Sequence, residues 1–443
     1  MHLLRCMLQG PTSGGLLAVA FSALVASVQS VPAHAQPRAA AAPRWLAAWG
    51  ASHNAREVIP NLANSTVRMI VRPSVSGSAI RIKLENTLGQ SPVQFDGAFI
   101  GITDSGAAIR PRSNRQLRFA RQRGVMIAPG ESVWSDPVRM KVSALQRLTV
   151  SLSVRSASDV STHSLGLTST YITAGRRAQS ASGVGFTQVP TRATGTNVDA
   201  YPLYWISAVD VQTTEATGAV LGFGDSITDG RCSTTENGVV APDRYLRWTD
   251  YLATRFSAQP PTERKAVANA AIAGNRIVTG GNGPTALERL SRDVLAREGV
   301  THVVFFEGTN DLAAGTSADS VIDGTDQIIR AVHDKGIRII GVTIVPRGRP
   351  DSVRGWTPAM ESARLSVNHW IRTRASFDAI IDFDALLSGG PVSSNGQSIK
   401  PVYNCDHIHP NSAGYKAMGE SVDLSLFTTP VVMDSSRPRP SGR

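Results

Sequence analysis

The sequence predicts two structural halves: an all-β sandwich or jelly-roll domain, then an α/β domain with a parallel sheet covered by helices. Three observations predict this. The chain is 443 residues long, which at roughly 100–200 residues per domain suits two or three domains. Its first half is filled with short segments of period-two alternation and carries almost no helical pattern. From Ala219 onward, short and wholly apolar runs alternate with helical segments, the pattern of strands buried on both faces of a parallel sheet.

The first residues stand outside that scheme. Up to about Gly14 the only charged side chain is Arg5, and Leu16-Leu17-Ala18-Val19-Ala20-Phe21 then opens an apolar run that continues to about Val28. Ala33-His34-Ala35 follows as a small-x-small cleavage pattern. Residues 1–35 therefore read as a secretory signal peptide cut after Ala35. The run is shorter than the about 20 apolar residues a membrane-spanning helix needs, and no other run fits one. The expected mature protein is secreted or periplasmic, without integral membrane association.

Residues 36–43, rich in Ala and Pro, read as a linker. Residues 44–214 form the expected β-sandwich. Thr66-Val67-Arg68-Met69-Ile70-Val71, Ile80-Arg81-Ile82-Lys83-Leu84 and Leu148-Thr149-Val150-Ser151-Leu152-Ser153-Val154 alternate, with turn signals at Asn86, Gly89 and Gly130. Residues 215–430 form the expected α/β domain. Its strands are Val220–Phe223, Val303–Phe306, Ile337–Val345 and Ala379–Ile381. Its helices lie near Tyr245–Phe256, Leu287–Glu298, Ala318–Lys335 and Pro358–Arg374, with a last one capped by Asn411 and running to about Val422. Residues 431–443 read as a flexible tail.

Apolar residues make up 42% of the chain, enough for a real core. The formal charge is +11, which favours anionic surroundings. The arginines are nevertheless scattered, and no basic run is interleaved with aromatics as a nucleic-acid groove requires. A solvated basic surface is the better reading, and no nucleic-acid partner is expected. Of three cysteines, Cys6 leaves with the signal peptide, and Cys232 and Cys405 remain in an oxidising compartment.

The residues able to carry chemistry fall just beyond the predicted strand ends, where ligands gather in such a sheet. Gly224-Asp225-Ser226-Ile227-Thr228-Asp229-Gly230 follows the first strand. A serine on that turn presents its hydroxyl while its own N–H, at a helix start, faces a developing negative charge. Taken alone, the segment is equally a helix cap. Gly274 in Asn269-Ala270-Ala271-Ile272-Ala273-Gly274-Asn275 offers a close backbone N–H, or is an ordinary turn. Asn310 in Gly308-Thr309-Asn310-Asp311 offers an amide donor, or is another cap. In Asp406-His407-Ile408-His409-Pro410, an Asp three residues before a His can bond one ring nitrogen while the other faces a serine hydroxyl.

Together and in this order, these four blocks resemble the GDSL/SGNH hydrolase family. Its name-giving residues match Ser226, Gly274, Asn310 and His409; the glycine block departs from the pattern, with Ala271 where a second Gly is common. The resemblance covers the second domain. It implies a flavodoxin-like hydrolase fold and a serine ester hydrolase of lipase or acylhydrolase type, working through an acyl-enzyme without metal or organic cofactor. Ser226 is then the nucleophile, His409 the base and Asp406 its orienting partner. The Ser226 N–H, the Gly274 N–H and the Asn310 amide form the oxyanion hole. The front domain, with Trp45-Leu46-Ala47-Ala48-Trp49, also resembles the region preceding the catalytic domain in secreted bacterial members.

If the serine and histidine blocks converge, Cys232 and Cys405 come together as a disulfide. A metal site built from Cys405 and Asp-His-x-His is the competing reading, disfavoured because it leaves the serine and asparagine blocks idle. Trp248 and Asp250 are expected to pack or cap a helix, with Trp248 as a substrate platform the lesser reading. Asp225 and Asp311 are expected to orient loops, Glu307 to line the pocket or make a structural bond, and His369 to be structural. The expected substrate is a small-molecule or glycan ester, by default of short-to-medium acyl length because no long apolar lid is evident. No oligomeric state is assigned. Two rivals stand beside this reading: a polysaccharide O-acetylesterase whose β-domain grips glycan, and a non-catalytic extracellular glycan-binding or adhesion protein.

Overall fold

In the first half, alternation decides which side chains turn inward. The computed structural model describes residues 42–190, 192–194, 197–236, 239–348, 355–393 and 396–428. The signal peptide, its cleavage site, nearly all of the linker and the tail lie outside the described residues. Strands Arg44–Gly50, Ile206–Thr213, Gly77–Glu85 and Ser132–Trp134 pair in that order into one antiparallel sheet, with Val138–Val142 also on Gly77–Glu85. The second sheet runs Thr187–Gln188, Thr170–Ala174, Ser65–Val71, Leu148–Ser156, Val93–Ile102 and Arg115–Leu117, with Val125–Ile127 beside Val93–Ile102. Their inward residues, among them Val67, Met69, Ile80, Ile82, Val150, Leu152, Val209 and Val211, share one buried cluster. Phe95 of one sheet meets Trp205, just before a strand of the other, edge-on with centroids 5.1 Å apart. This is face-to-face packing of two half-apolar sheets.

The chain leaves the sandwich at Thr213 and enters a parallel sheet at Ala219. Five strands lie in the order Ala266–Asn269, Ala219–Gly224, Val300–Phe306, Arg338–Val342, Ala379–Ile381, all parallel. Numbered along the chain this order is 2-1-3-4-5, the flavodoxin-like winding. Every residue of Ala219–Gly224 is buried, because both faces are covered. Val220, Val304 and Ile340 pack against Trp248, Leu252, Phe256, Tyr415 and Met418 of helices Trp248–Ser257 and Ser412–Ser421. Leu221, Phe223, Val303 and Ile339 belong to the other cluster, with Ile328, Val332, Val367 and Ile371 of helices Ala318–Asp334 and Pro358–Thr373.

Some elements differ from the sequence expectation. The helix expected at Leu287–Glu298 is an α-turn, Ala286–Leu290, continued by a π-turn, Ser291–Leu295. The edge strand Ala266–Asn269, absent from the expected strands, is part of the parallel sheet. The hairpin Ser388–Ser393 with Gly396–Ile399 had no distinct signal.

The described residues belong to one compact unit, and the Trp-rich strand Arg44–Gly50 is its seam. Leu46, Ala47 and Ala48 are fully buried. The Ala47 N–H donates to the Glu298 carbonyl at 2.9 Å and the Val267 N–H to Ser74 Oγ at 2.7 Å. The Arg297 guanidinium donates to the Trp49 carbonyl at 3.0 Å. The first sandwich strand thus covers the outer edge of the parallel sheet.

Candidate active site

Strands 1 and 3 of the parallel sheet lead their connections to opposite sides, opening the crevice in which this winding holds ligands. Ser226 follows the first of them. It begins a single helical turn, Ser226–Asp229, whose N-cap Asp225 accepts the Ile227 N–H at 2.9 Å. Gly224 lets this turn sit against the neighbouring strand: a Cβ there would lie 2.3 Å from the Phe306 carbonyl oxygen.

The last connection brings His409. Asn411 caps helix Ser412–Ser421, and the loop before it carries His409. Ser226 Oγ lies 2.8 Å from His409 Nε2. His409 Nδ1 lies 2.9 Å from both carboxylate oxygens of Asp406. Asp406 also accepts the backbone N–H groups of His409 at 2.9 Å and Ile408 at 3.1 Å. Since Nδ1 faces a carboxylate, it carries the proton, and Nε2 accepts from the serine. Burial lowers the affinity of His409 for a second proton. Asp406 opposes this, while the charges of Arg231 and Arg347 add to the lowering. Burial works against the Asp406 charge, but its bonds from His409 and the backbone outweigh it and hold the carboxyl well below the usual range.

Gly274 has φ +77°, the left-handed region, and a Cβ there would lie 2.6 Å from Asn282 Nδ2. Its loop is tied on both sides. The Ala273 N–H donates to Asp229 at 2.8 Å, and Arg289 Nε donates to Asn275 Oδ1 at 2.8 Å. Asn310 sits in the first turn of helix Thr309–Ala313, whose N-cap is Gly308, and its Nδ2 donates to the Asn275 carbonyl at 3.0 Å. Asp311 accepts the Ile277 and Val278 N–H groups. The structure therefore links all four sequence blocks through hydrogen bonds.

Cys232 and Cys405 are disulfide-bonded, with Cα atoms 6.4 Å apart. Ligand atoms of Cys232, Asp406 and His409 lie within 4.8 Å of one another. The sulfurs are joined to each other, however, and both His409 nitrogens are engaged. The metal reading that used Cys405 thus loses its thiolate. His407 bonds Asn404 through its backbone N–H at 2.8 Å and through Nδ1 at 3.3 Å. Trp248 is fully buried and packs on Phe383, so it is no substrate platform. Asp250 accepts the Arg247 N–H at 3.0 Å as part of the helix cap. His369 is exposed on its helix.

Beneath the site lies a charged layer around Arg289, which sequence reasoning missed; Glu307, expected to line the pocket or make a structural bond, is instead buried without a hydrogen bond. Arg289 is fully buried, donates to the Gly224 carbonyl at 3.0 Å and sits 3.7 Å from Glu307. Neither Glu307 oxygen has a hydrogen-bond partner, and burial pushes its carboxyl well up, towards the neutral form. Burial likewise raises Asp225 to about 7. Arg289 lay inside a helical pattern with nothing to distinguish it from a solvent-facing arginine.

Residues 223–417 match the GDSL-like Lipase/Acylhydrolase family. Among solved structures, the chain is similar to a GDSL-like lipase from Bacteroides thetaiotaomicron VPI-5482, at 19% identity and TM-score 0.36 over 47% of this chain and 88% of that one. It is similar to Est24, a carbohydrate acetylesterase from Sinorhizobium meliloti, at 16% identity and TM-score 0.36 over 46% and 94%. It is also similar to a family two carbohydrate esterase from Cellvibrio japonicus, at 11% identity and TM-score 0.35 over 88% and 94%. No curated protein matches the sequence.

Proposed function

Because residues 223–417 are a domain of the GDSL-like lipase/acylhydrolase family, we propose that this protein is an exported carboxylic-ester hydrolase acting through a Ser226 acyl-enzyme. The observation that carries the proposal is the unbroken chain Ser226 Oγ–His409–Asp406, at 2.8 and 2.9 Å.

The steps follow from that chain. Ser226 Oγ attacks the ester carbonyl as its proton passes to His409 Nε2. Asp406 stabilises the imidazolium so formed. The negative oxygen of the tetrahedral intermediate is held by the N–H groups of Ser226 and Gly274 and by Asn310 Nδ2. Collapse breaks the bond to the alcohol oxygen, which takes the proton from His409 and leaves. Water then attacks the acyl-enzyme, giving one proton to His409, and the second collapse returns that proton to Ser226 Oγ and releases the acid. Arg289 keeps its buried charge beside carbonyl groups and Glu307, fixing the two loops above it.

Export is supported by the leader and by a disulfide that an oxidising compartment preserves. No helix among the described residues is long and apolar enough to cross a membrane. The test is hydrolysis of p-nitrophenyl esters of graded acyl length by the mature chain and by Ser226→Ala. We expect turnover of short-to-medium esters by the first and none above background by the second. Equal rates would refute the assignment of the nucleophile.

A further inference from the structure

We propose that His163, contributed by the β-sandwich, is a positioning residue for ester hydrolysis, its imidazolium fixing the nucleophile turn to the Gly274 loop through Asp229. The proposal rests on the serine-hydrolase reading above and extends it to the other half of the molecule.

His163 ends the strand Val160–His163, all of whose residues are buried. Its Nδ1 lies 2.7 Å from the Ser52 carbonyl oxygen. Its Nε2 lies 3.1 Å from the Leu165 carbonyl oxygen and 3.1 Å from Asp229 Oδ1. Each ring nitrogen faces a backbone carbonyl, which cannot donate, and Nε2 also faces the Asp229 carboxylate. Each nitrogen must therefore supply a proton, which makes the ring an imidazolium. Burial opposes that charge, but Asp229 and the Ser52 carbonyl outweigh it and raise the proton affinity above that of a free histidine.

Asp229 is the last residue of the Ser226 turn. One of its oxygens faces His163, and the other accepts the Ala273 N–H, adjacent to Gly274. A second cation reinforces the junction. Arg247 donates through Nε to the Asp229 carbonyl at 2.6 Å and through Nη2 to the carbonyls of Leu165 and Gly166 at 3.2 and 2.9 Å. The sandwich thus grips the turn that bears Ser226, and the same carboxylate passes the grip to the loop that bears Gly274. Two of the three oxyanion donors stand on these two segments. A loose donor costs transition-state stabilisation without altering ground-state binding.

The charged or titratable groups around His163 are Asp229 and Arg247, which touch its surroundings directly, and His53, whose own protonation burial depresses to about 4. Arg72 and Asp250 line the same interior space. As pH rises through the elevated proton affinity of His163, the ring loses one donor. An acceptor is then left bare and the Asp229 contact weakens, so kcat should fall on the alkaline side.

The experiment compares the full mature enzyme with His163→Gln on p-nitrophenyl acetate, with rates normalised to the serine labelled by a fluorophosphonate. We expect kcat at least tenfold lower, KM within twofold, and the alkaline decline of the native enzyme absent from the variant. In parallel, 15N NMR of the native histidine rings should show both His163 nitrogens protonated at pH 7. A folded variant with kcat within twofold of native, or with the alkaline decline unchanged, would overturn the proposal. So would a neutral His163 ring at pH 7, a measurement that stands even if the variant does not fold. A native enzyme without esterase activity would instead defeat the serine-hydrolase reading, and the ring measurement would still judge the strap.

Discussion

Asn310 gives its amide to the Asn275 carbonyl, so the side chain lies along the loop that carries Gly274. Asn310→Ala should reduce kcat on the order of 10²–10³-fold, the loss of one oxyanion donor, with an unchanged circular dichroism spectrum. Near-native turnover would remove Asn310 from the mechanism. The base sets the acid side of the pH profile. Free histidine titrates near 6.5, and burial with two nearby arginines lowers His409. Protonated His409 cannot accept from Ser226, so kcat should rise with pH with its midpoint below 6.5. A midpoint above 6.5 would contradict the depressed affinity. The sequence made this arrangement legible because Ser226, Gly274 and Asn310 each follow a strand and His409 just precedes a capped helix, with Gly, Asp or Pro close by. Arg289 was not legible, and Glu307, read as lining the pocket or making a structural bond, is buried with neither oxygen hydrogen-bonded. Their roles come from burial, which neither residue's local pattern reveals.

At the scale of elements, the disulfide closes a loop of 173 residues between the serine turn and the histidine loop. The chain-entropy model gives about 5 kcal/mol as the ceiling for such a constraint. Replacing both Cys232 and Cys405 by Ser should lower stability towards denaturant by an amount up to that ceiling, and the native mature protein should show no free thiol to alkylation. Two alkylatable thiols would rule the bridge out. Long periodic segments such as Ala318–Asp334 and Pro358–Thr373 were legible to within a residue or two. The break between Ala286–Leu290 and Ser291–Leu295 was not. There Arg289 and Arg292 both turn to Asp293, a tertiary network that no helical period encodes. The strand Ala266–Asn269 was obscured because four residues show no period of their own; its place is set by pairing with Ala219–Gly222.

For the molecule as a whole, the sequence divides the chain near Thr213–Gly218, on a change from period-two alternation to alternating apolar strands and helices. What it does not reveal is how closely the halves depend on each other. The rival reading, in which the β-domain grips glycan, expects removal of residues 36–212 to weaken polymer binding but spare small-ester hydrolysis. The seam argues otherwise: Arg44–Gly50 covers the outer edge of the parallel sheet, and His163 reaches Asp229. A chain beginning at Thr213 should therefore have lost at least nine-tenths of its activity on p-nitrophenyl acetate, if it folds at all. Full activity in that fragment would make the sandwich a separable accessory. The central claim, that Ser226 is a nucleophile activated by His409, is tested most directly by fluorophosphonate labelling of the mature protein followed by peptide mass mapping. A single stoichiometric adduct on Ser226 is expected, forming far more slowly in His409→Ala. An unlabelled Ser226, or labelling that proceeds equally fast without His409, would contradict it.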